Sequence, residues 1–132
     1  MPLHRMTHGI VLCLLVALTP TPASARCVPV GPVYEIRHSR YVVEAIFEAR
    51  SGDVATFRVV ASWLGEPPSR MEVHIPPRRG LPPGDVGQTY LLFLAGEDDE
   101  LHYSRCGSSG RLSSAEAALE VMRARGLTRT PR

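Results

Sequence analysis

The chain of 132 residues contains no lysine and only three cysteines. All of its basic residues are arginines, and they exceed the acidic residues by a formal net charge of +2. A charge so close to zero is not the basic footprint of a nucleic-acid-binding protein. Nucleic acid is therefore not expected among its partners.

No apolar run in the chain reaches the roughly 20 residues that a membrane-spanning helix needs. The short run from Ile10 to Leu18 follows Arg5 and precedes Ala23-Ser24-Ala25. A basic start, a short apolar run and an A-x-A site are typical of a secretory signal peptide. We therefore expect residues 1–25 to be cleaved, leaving an exported protein in the periplasm or the medium with no membrane span.

The cysteines predict one disulfide bond. Cys13 would leave with the signal peptide, so the mature chain would hold Cys27 and Cys106. Two cysteines in an exported chain usually pair. In the chain-entropy picture, closing a loop of this length stabilises a fold by at most roughly 4–5 kcal/mol, because strain in the native state usually reduces the gain. Two free thiols are the alternative.

Alternating apolar and polar residues predict strands over 41–50 and 54–64, joined by a turn. In the first strand, alternation places Glu44 and Glu48 on the solvent side. In the second, Trp63 shares the inward face with Phe57 and belongs to the core.

Further elements are predicted on both sides of this hairpin. They are a helical turn over 33–39, a strand over 71–75, a proline-rich surface loop over 76–87, and a hairpin over 87–106 with strands 90–95 and 101–105. A helix follows, with a Ser113–Glu116 capping box, and it ends at Gly126. Ala115, Ala118, Leu119 and Met122 form its apolar stripe.

Five short strands in hairpin order and a terminal helix predict a mainly β fold, a five-stranded OB-like Greek-key barrel with a C-terminal α-helix. The domain would cover residues 26–127, and residues 128–132 would form a disordered tail. A small β-sandwich is the alternative. A helix on one open sheet is less favoured, because such a sheet would expose its edges.

The order of several segments resembles the netrin-like domain, specifically the N-terminal domain of tissue inhibitors of metalloproteinases and their bacterial relatives. The segments are YVVEAIFEA at 41–49, TFRVV at 56–60, SWLG at 62–65, VGQTYLLFL at 86–94, LHYSRCG at 101–107 and LSSA at 112–115. The resemblance covers nearly all of the mature chain, from Cys27 to the C-terminal helix.

This resemblance implies an OB-like barrel with its N-terminal cysteine tied to the core, and a partner-binding N-terminal segment. In the animal inhibitors, the amine and carbonyl of a first-residue cysteine chelate the zinc of the protease. Here cleavage would place Arg26 before Cys27, so that chelating pair would not form. Val28 and Pro29 complete the expected binding segment.

Arg78 and Arg79, in the proline-rich loop, are a second candidate contact, since arginine forks bind carboxylates. Plain solubility is the alternative role for this pair. We predict an exported, monomeric, non-enzymatic binding module with a protein partner, for which a metalloprotease is one candidate. The alternative is a structural cell-envelope domain that binds glycan or another envelope component.

No catalytic, cofactor or metal pattern is visible in the sequence. There is no G-x-S-x-G and no glycine-rich phosphate loop. His38, His74 and His102 lack the close spacing of metal ligands, although His74 and His102 could be cross-strand neighbours. The acidic turn from Glu97 to Glu100 lacks the spacing of a calcium loop. Neither enzymatic activity nor a bound metal or cofactor is expected.

Overall fold

The computed structural model describes residues 28–75 and 86–132. The predicted signal peptide, Arg26 and Cys27 lie outside the described residues. So do Arg78, Arg79 and most of the predicted proline-rich loop.

The described residues form one antiparallel sheet and three helical segments. In chain order these are α1 (Pro32–His38), β1 (Tyr41–Ser51), β2 (Val54–Leu64), β3 (Arg70–His74), β4 (Thr89–Leu94), β5 (Gly110–Arg111), a 3-10 helix (Leu112–Ser114), α2 (Glu116–Ala124) and β6 (Thr130–Pro131). The strand order is β3-β2-β1-β4-β5, with β6 pairing with β2. The protein is mainly β, as the alternation predicted.

The segment after β4 links two distant parts of the sheet. The backbone of His102 exchanges hydrogen bonds of 2.9 and 3.1 Å with Ala95, and the N–H of His74 donates to the carbonyl of Leu101 at 2.7 Å. His102 therefore bridges both the end of β4 and β3. The sheet curves back on itself, which is consistent with a barrel-like β fold. The predicted proximity of His74 and His102 is confirmed.

A strand over 101–105 was predicted, but only an isolated bridge at His102 forms there. The chain turns at 105–106 instead of continuing beside β4. There the carbonyl of Cys106 accepts a hydrogen bond from the N–H of Val30 at 3.0 Å. The backbone of this segment thus pairs with residues near the N-terminus.

The sheet is buried on both faces, so the protein has two apolar clusters. The larger lies within the curved sheet and includes Val43, Phe47, Phe57 and Tyr90. The second lies between the sheet and α2, and it includes Val42, Trp63, Leu91, Phe93, Leu119 and Met122. Because α2 covers the outer face of β1, this strand contributes apolar side chains to both clusters.

The predicted solvent exposure of Glu44 is wrong. Only 4% of the surface of Glu44 is exposed, because Glu44 lies on the face of the sheet that α2 and the C-terminal residues cover. Its carboxylate accepts hydrogen bonds from the indole Nε1 of Trp63, at 3.2 Å, and from Nε of Arg129. Glu48, by contrast, stays partly exposed and pairs with Arg70 at 3.1 Å.

Trp63 is buried as predicted, but on the other face from Phe57. The register of β1 with β2 shifts once between Phe57 and Trp63: Ala45 pairs with Val59 but Glu44 pairs with Ala61, which leaves Val60 as an extra residue. Such a shift moves the residues beyond it to the opposite face. Trp63 therefore packs in the α2 cluster, while Phe57 lies within the curved sheet.

Helix α2 has the predicted apolar stripe but not the predicted start. Ser113 lies in the 3-10 helix, and α2 begins at Glu116 with no side-chain cap. At the other end, Gly126 adopts a φ of 79°. The N–H of Gly126 donates to the carbonyl of Arg123, and that of Leu127 donates to Met122, both at 3.0 Å. This is a Schellman motif, with Leu127 packed against the α2 cluster.

The prediction of a disordered tail over 128–132 is also wrong. Thr130 and Pro131 pair with β2 opposite Ser62 and Ala61, and the N–H of Arg132 donates to the carbonyl of Val60 at 2.9 Å. The contact of Arg129 with Glu44 fixes the start of this segment. A buried carboxylate on the sheet thus provides the partner that orders these residues.

Candidate functional site

The candidate site consists of residues 28–38, which we call the N-terminal segment, and residues 104–108, which we call the 104–108 turn. The hydrogen bond from Val30 to Cys106 joins the two at backbone level. Gly31 precedes α1 in extended conformation, and Pro32 occupies its first turn, where the missing N–H of proline has no helical partner to lose. The segment therefore leaves the turn and continues directly into a helix.

Cys106 is disulfide-bonded. Its predicted partner, Cys27, lies outside the described residues, so the pairing itself stays a prediction. The Val30 hydrogen bond places the chain three residues beyond Cys27 against the backbone of Cys106. This position agrees with a cross-link between the N-terminal segment and the 104–108 turn.

Glu35 is a buried acidic residue at the contact between α1 and the turn, with 5% of its surface exposed. Its Oε2 accepts a hydrogen bond from the N–H of Ser108 at 2.7 Å. Its Oε1 is buried and has no hydrogen-bond partner among the described residues. Burial raises the pKa of Glu35 above its ordinary value, and the hydrogen bonds from Ser108 act in the opposite direction.

The sequence-based search missed Glu35. The residue lies in a seven-residue helix, and its contacts come from a turn more than 70 positions away in the chain. A glutamate in such a short segment is normally expected to be exposed to solvent. No pattern in the neighbouring residues distinguishes it from Glu48 or Glu66.

A cleft of about 430 Å³ lies beside α1. Among its lining residues are Tyr34, Glu35, His38, Phe93, His102 and Ser104. Nδ1 of His38 lies 2.8 Å from the carbonyl of Tyr34, and Nδ1 of His102 lies 3.1 Å from that of Glu100. A carbonyl only accepts, so each neutral ring carries its proton on Nδ1 and a lone pair on Nε2.

The N-terminal segment also carries apolar side chains that face solvent. Val28 is 79% exposed and Tyr34 is 55% exposed, and Pro29 is exposed between them. Pro29, Val30, Gly31 and Tyr34 line a second, shallower hollow of about 260 Å³. The structure thus brings the predicted contact residue Pro29 together with Tyr34, which the sequence did not indicate, while Val28 is exposed next to Pro29 in the chain. It does not describe Arg26, Arg78 or Arg79.

The acidic turn at 97–100 has a structural role. Arg40 contacts Glu97 at 2.8 Å and Asp98 at 3.4 Å, and the hydroxyl of Tyr41 donates to Asp98 at 2.8 Å. These contacts hold the tip of the hairpin against the start of β1. Two of its four acidic side chains are thus engaged by neighbouring residues.

Within 28–75 and 86–132, no group of three or more His, Cys, Asp or Glu side chains is placed to hold a metal ion. In the same ranges no helix is long and apolar enough to cross a membrane. No protein-family model and no curated protein matches the chain. The netrin-like resemblance therefore stands on the order of the sequence segments.

Proposed function

We propose that the chain is an exported, non-enzymatic binding module of the netrin-like type. In this proposal the curved sheet is an OB-like barrel, and a Cys27–Cys106 disulfide tethers the N-terminal segment to it. The tethered segment contacts a protein partner. The observation that carries the proposal is the exposure of Val28 and Tyr34 on a segment whose backbone and buried side chains are anchored.

One side of the N-terminal segment is anchored to the rest of the protein, and the other side is free to contact a partner. Ile36 packs against the α2 cluster and Glu35 against the 104–108 turn, whereas Val28 and Tyr34 remain in solvent. Val86 is the other large apolar side chain of the described residues that is exposed. Aromatic and apolar side chains held on an anchored backbone lose little entropy on binding, and tyrosine is enriched among the residues that dominate interface energies.

The partner class comes from the resemblance. In the animal inhibitors an N-terminal wedge enters the active-site cleft of a metalloprotease, and in this proposal the N-terminal segment has that role. Zinc chelation is not part of the proposal, because Arg26 would precede Cys27. Contact would instead depend on Val28, Pro29 and Tyr34, with Arg78 and Arg79 as an additional site for partner carboxylates.

The proposal is tested with the mature protein and a purified zinc metalloprotease in a fluorogenic peptide assay. We expect inhibition, and a weakening of about tenfold in Y34S and V28S, equivalent to about 1.4 kcal/mol each. V86S is the matched control, because Val86 is equally apolar and exposed but lies outside the segment; it should inhibit like the unaltered protein.

A hydroxamate that occupies the zinc of the protease should compete with the protein if the contact is in the active-site cleft. Two results would count against the proposal. One is the absence of binding to any metalloprotease tested; the other is an equal loss of affinity in Y34S and V86S, which would place the contact elsewhere on the surface.

A further inference from the structure

The contact between α1 and the 104–108 turn has an incomplete hydrogen-bond arrangement. The turn supplies the N–H of Ser108 to Oε2 of Glu35 at 2.7 Å. Oε1 lies against Gly107, where an added Cβ would come within 1.8 Å of it. No hydrogen-bond donor among the described residues reaches this second oxygen.

This arrangement suits one protonation state of the carboxyl group. A protonated carboxyl is neutral, and its burial carries no charge penalty. An ionised carboxylate accepts hydrogen bonds at both oxygens, and a buried charged oxygen without a donor is strongly unfavourable. Consistent with this, burial raises the pKa of Glu35 above its ordinary value.

Other ionisable groups lie on α1, in the 104–108 turn and on α2. The shift of its pKa arises from burial and from Ser108, with no charged neighbour among its causes. His38, on the same helix, and His102, after β4, line the adjacent cleft, so an experiment must separate them from Glu35. The other ionisable residues on these elements are Tyr34 and Arg37 on α1, Arg105 in the turn, and Glu116, Glu120 and Arg123 on α2. Glu116 and Arg123 pair with each other at 3.7 Å.

We propose that Glu35 is a pH-sensitive latch that holds the N-terminal segment on the 104–108 turn when protonated and loosens it when ionised. When the segment loosens, Val28 and Tyr34 would no longer be held in the fixed position that contact with a partner requires. Only this consequence for binding rests on the proposed function. The latch is a property of the chain alone and is tested without a partner.

The test follows the amide protons of Val30 and Ser108, which make the two backbone contacts across the junction. Hydrogen-exchange protection factors are measured by NMR between pH 5 and pH 8 on the mature, oxidised protein, each corrected for the intrinsic exchange rate. In the unaltered protein we expect both protection factors to fall by about tenfold as Glu35 ionises. In E35Q, which is neutral at every pH and retains an acceptor for Ser108, they should stay constant.

Three control variants isolate the effect. E48Q neutralises a partly exposed glutamate that pairs with Arg70, and H38Q and H102Q remove the neighbouring imidazoles; all three should keep the fall in protection. Equal pH profiles in the unaltered protein and E35Q would overturn the proposal, and so would a loss of the fall in H38Q or H102Q.

A second measurement does not depend on whether E35Q folds. The side-chain carboxyl resonance of Glu35 in the unaltered protein should titrate above the ordinary glutamate value of 4.5, with the Ser108 amide shift following the same curve. Titration of Glu35 at its ordinary value would overturn the latch. Failure to inhibit a metalloprotease would bear on the proposed function alone.

Discussion

Gly107 and Glu35 are so close that a Cβ on residue 107 would lie 1.8 Å from Oε1 and 2.7 Å from Cδ of the carboxyl group. Residue 107 must therefore lack a side chain for α1 to lie where it does. The neighbouring residues of the turn supply the hydrogen bonds to Val30 and Glu35. A glycine and a buried acid thus position the N-terminal segment on the turn.

Replacing Gly107 by alanine should displace α1 from the turn. The added methyl group would overlap the Glu35 carboxyl, and such overpacking costs about 1–3 kcal/mol. We expect a lower midpoint in urea unfolding and loss of hydrogen-exchange protection at Ser108. G110A is the matched control, because a Cβ at Gly110 meets no atom within 4 Å. Equal stability of the two variants would show that α1 does not depend on this contact.

Removing the side chain of Arg129 should release the C-terminal strand. Arg129 bonds the buried carboxylate of Glu44, and its loss would leave that group with the indole of Trp63. A buried acceptor that loses a partner costs about 1–3 kcal/mol, and the lower end applies because the Arg129 side chain is 45% exposed. R129A should therefore lower the free energy of unfolding and remove protection from the Arg132 amide.

The control for R129A is R70A, which breaks a more exposed pair with Glu48. Exposed pairs contribute about 0–1 kcal/mol, so R70A should unfold close to the unaltered protein. If R129A were no less stable than R70A, the Glu44 pair would not be what orders β6.

Local pattern predicted the strands well but not what covers them. Alternation located β1 and β2, since each run has the period of a strand. It placed Glu44 in solvent because the group that covers it, Arg129, lies 85 positions along the chain. The irregular pairing between β1 and β2 likewise changed the face of Trp63, and a strict two-residue period does not contain such shifts.

The candidate site was predicted only in part, for a similar reason. The resemblance indicated Val28 and Pro29, and the structure adds Tyr34, which lines a hollow together with Pro29. Glu35 could not be found, because its burial depends on Gly107 and Ser108, and its contact with Ser108 spans 73 positions in the chain. Which side chains of a short helix such as α1 are buried depends on the turn against which the helix packs.

The predicted Cys27–Cys106 bond should be a large part of the stability. C27S, C106S and the double variant should each lose about 2–4 kcal/mol in guanidinium unfolding, because removing either cysteine removes the same cross-link. Reductant should lower the melting temperature of the unaltered protein and leave the double variant unchanged. Non-reducing peptide mapping checks the pairing directly. Additive losses in the two single variants would contradict a shared bond.

Stability should fall as the pH rises through the folded-state pKa of Glu35. Because burial raises this pKa above the ordinary value of 4.5, the folded chain keeps its proton to higher pH than the unfolded chain does. The stabilising difference is fully present below pH 4.5 and is lost above the raised pKa. Melting temperatures of the unaltered protein and E35Q, measured in parallel from pH 4 to pH 8, isolate this contribution because the other carboxyl groups titrate in both. The unaltered protein should lose stability relative to E35Q across this range, while E48Q should follow the unaltered protein. A difference between the unaltered protein and E35Q that does not vary with pH would mean that Glu35 titrates alike in the folded and unfolded chains.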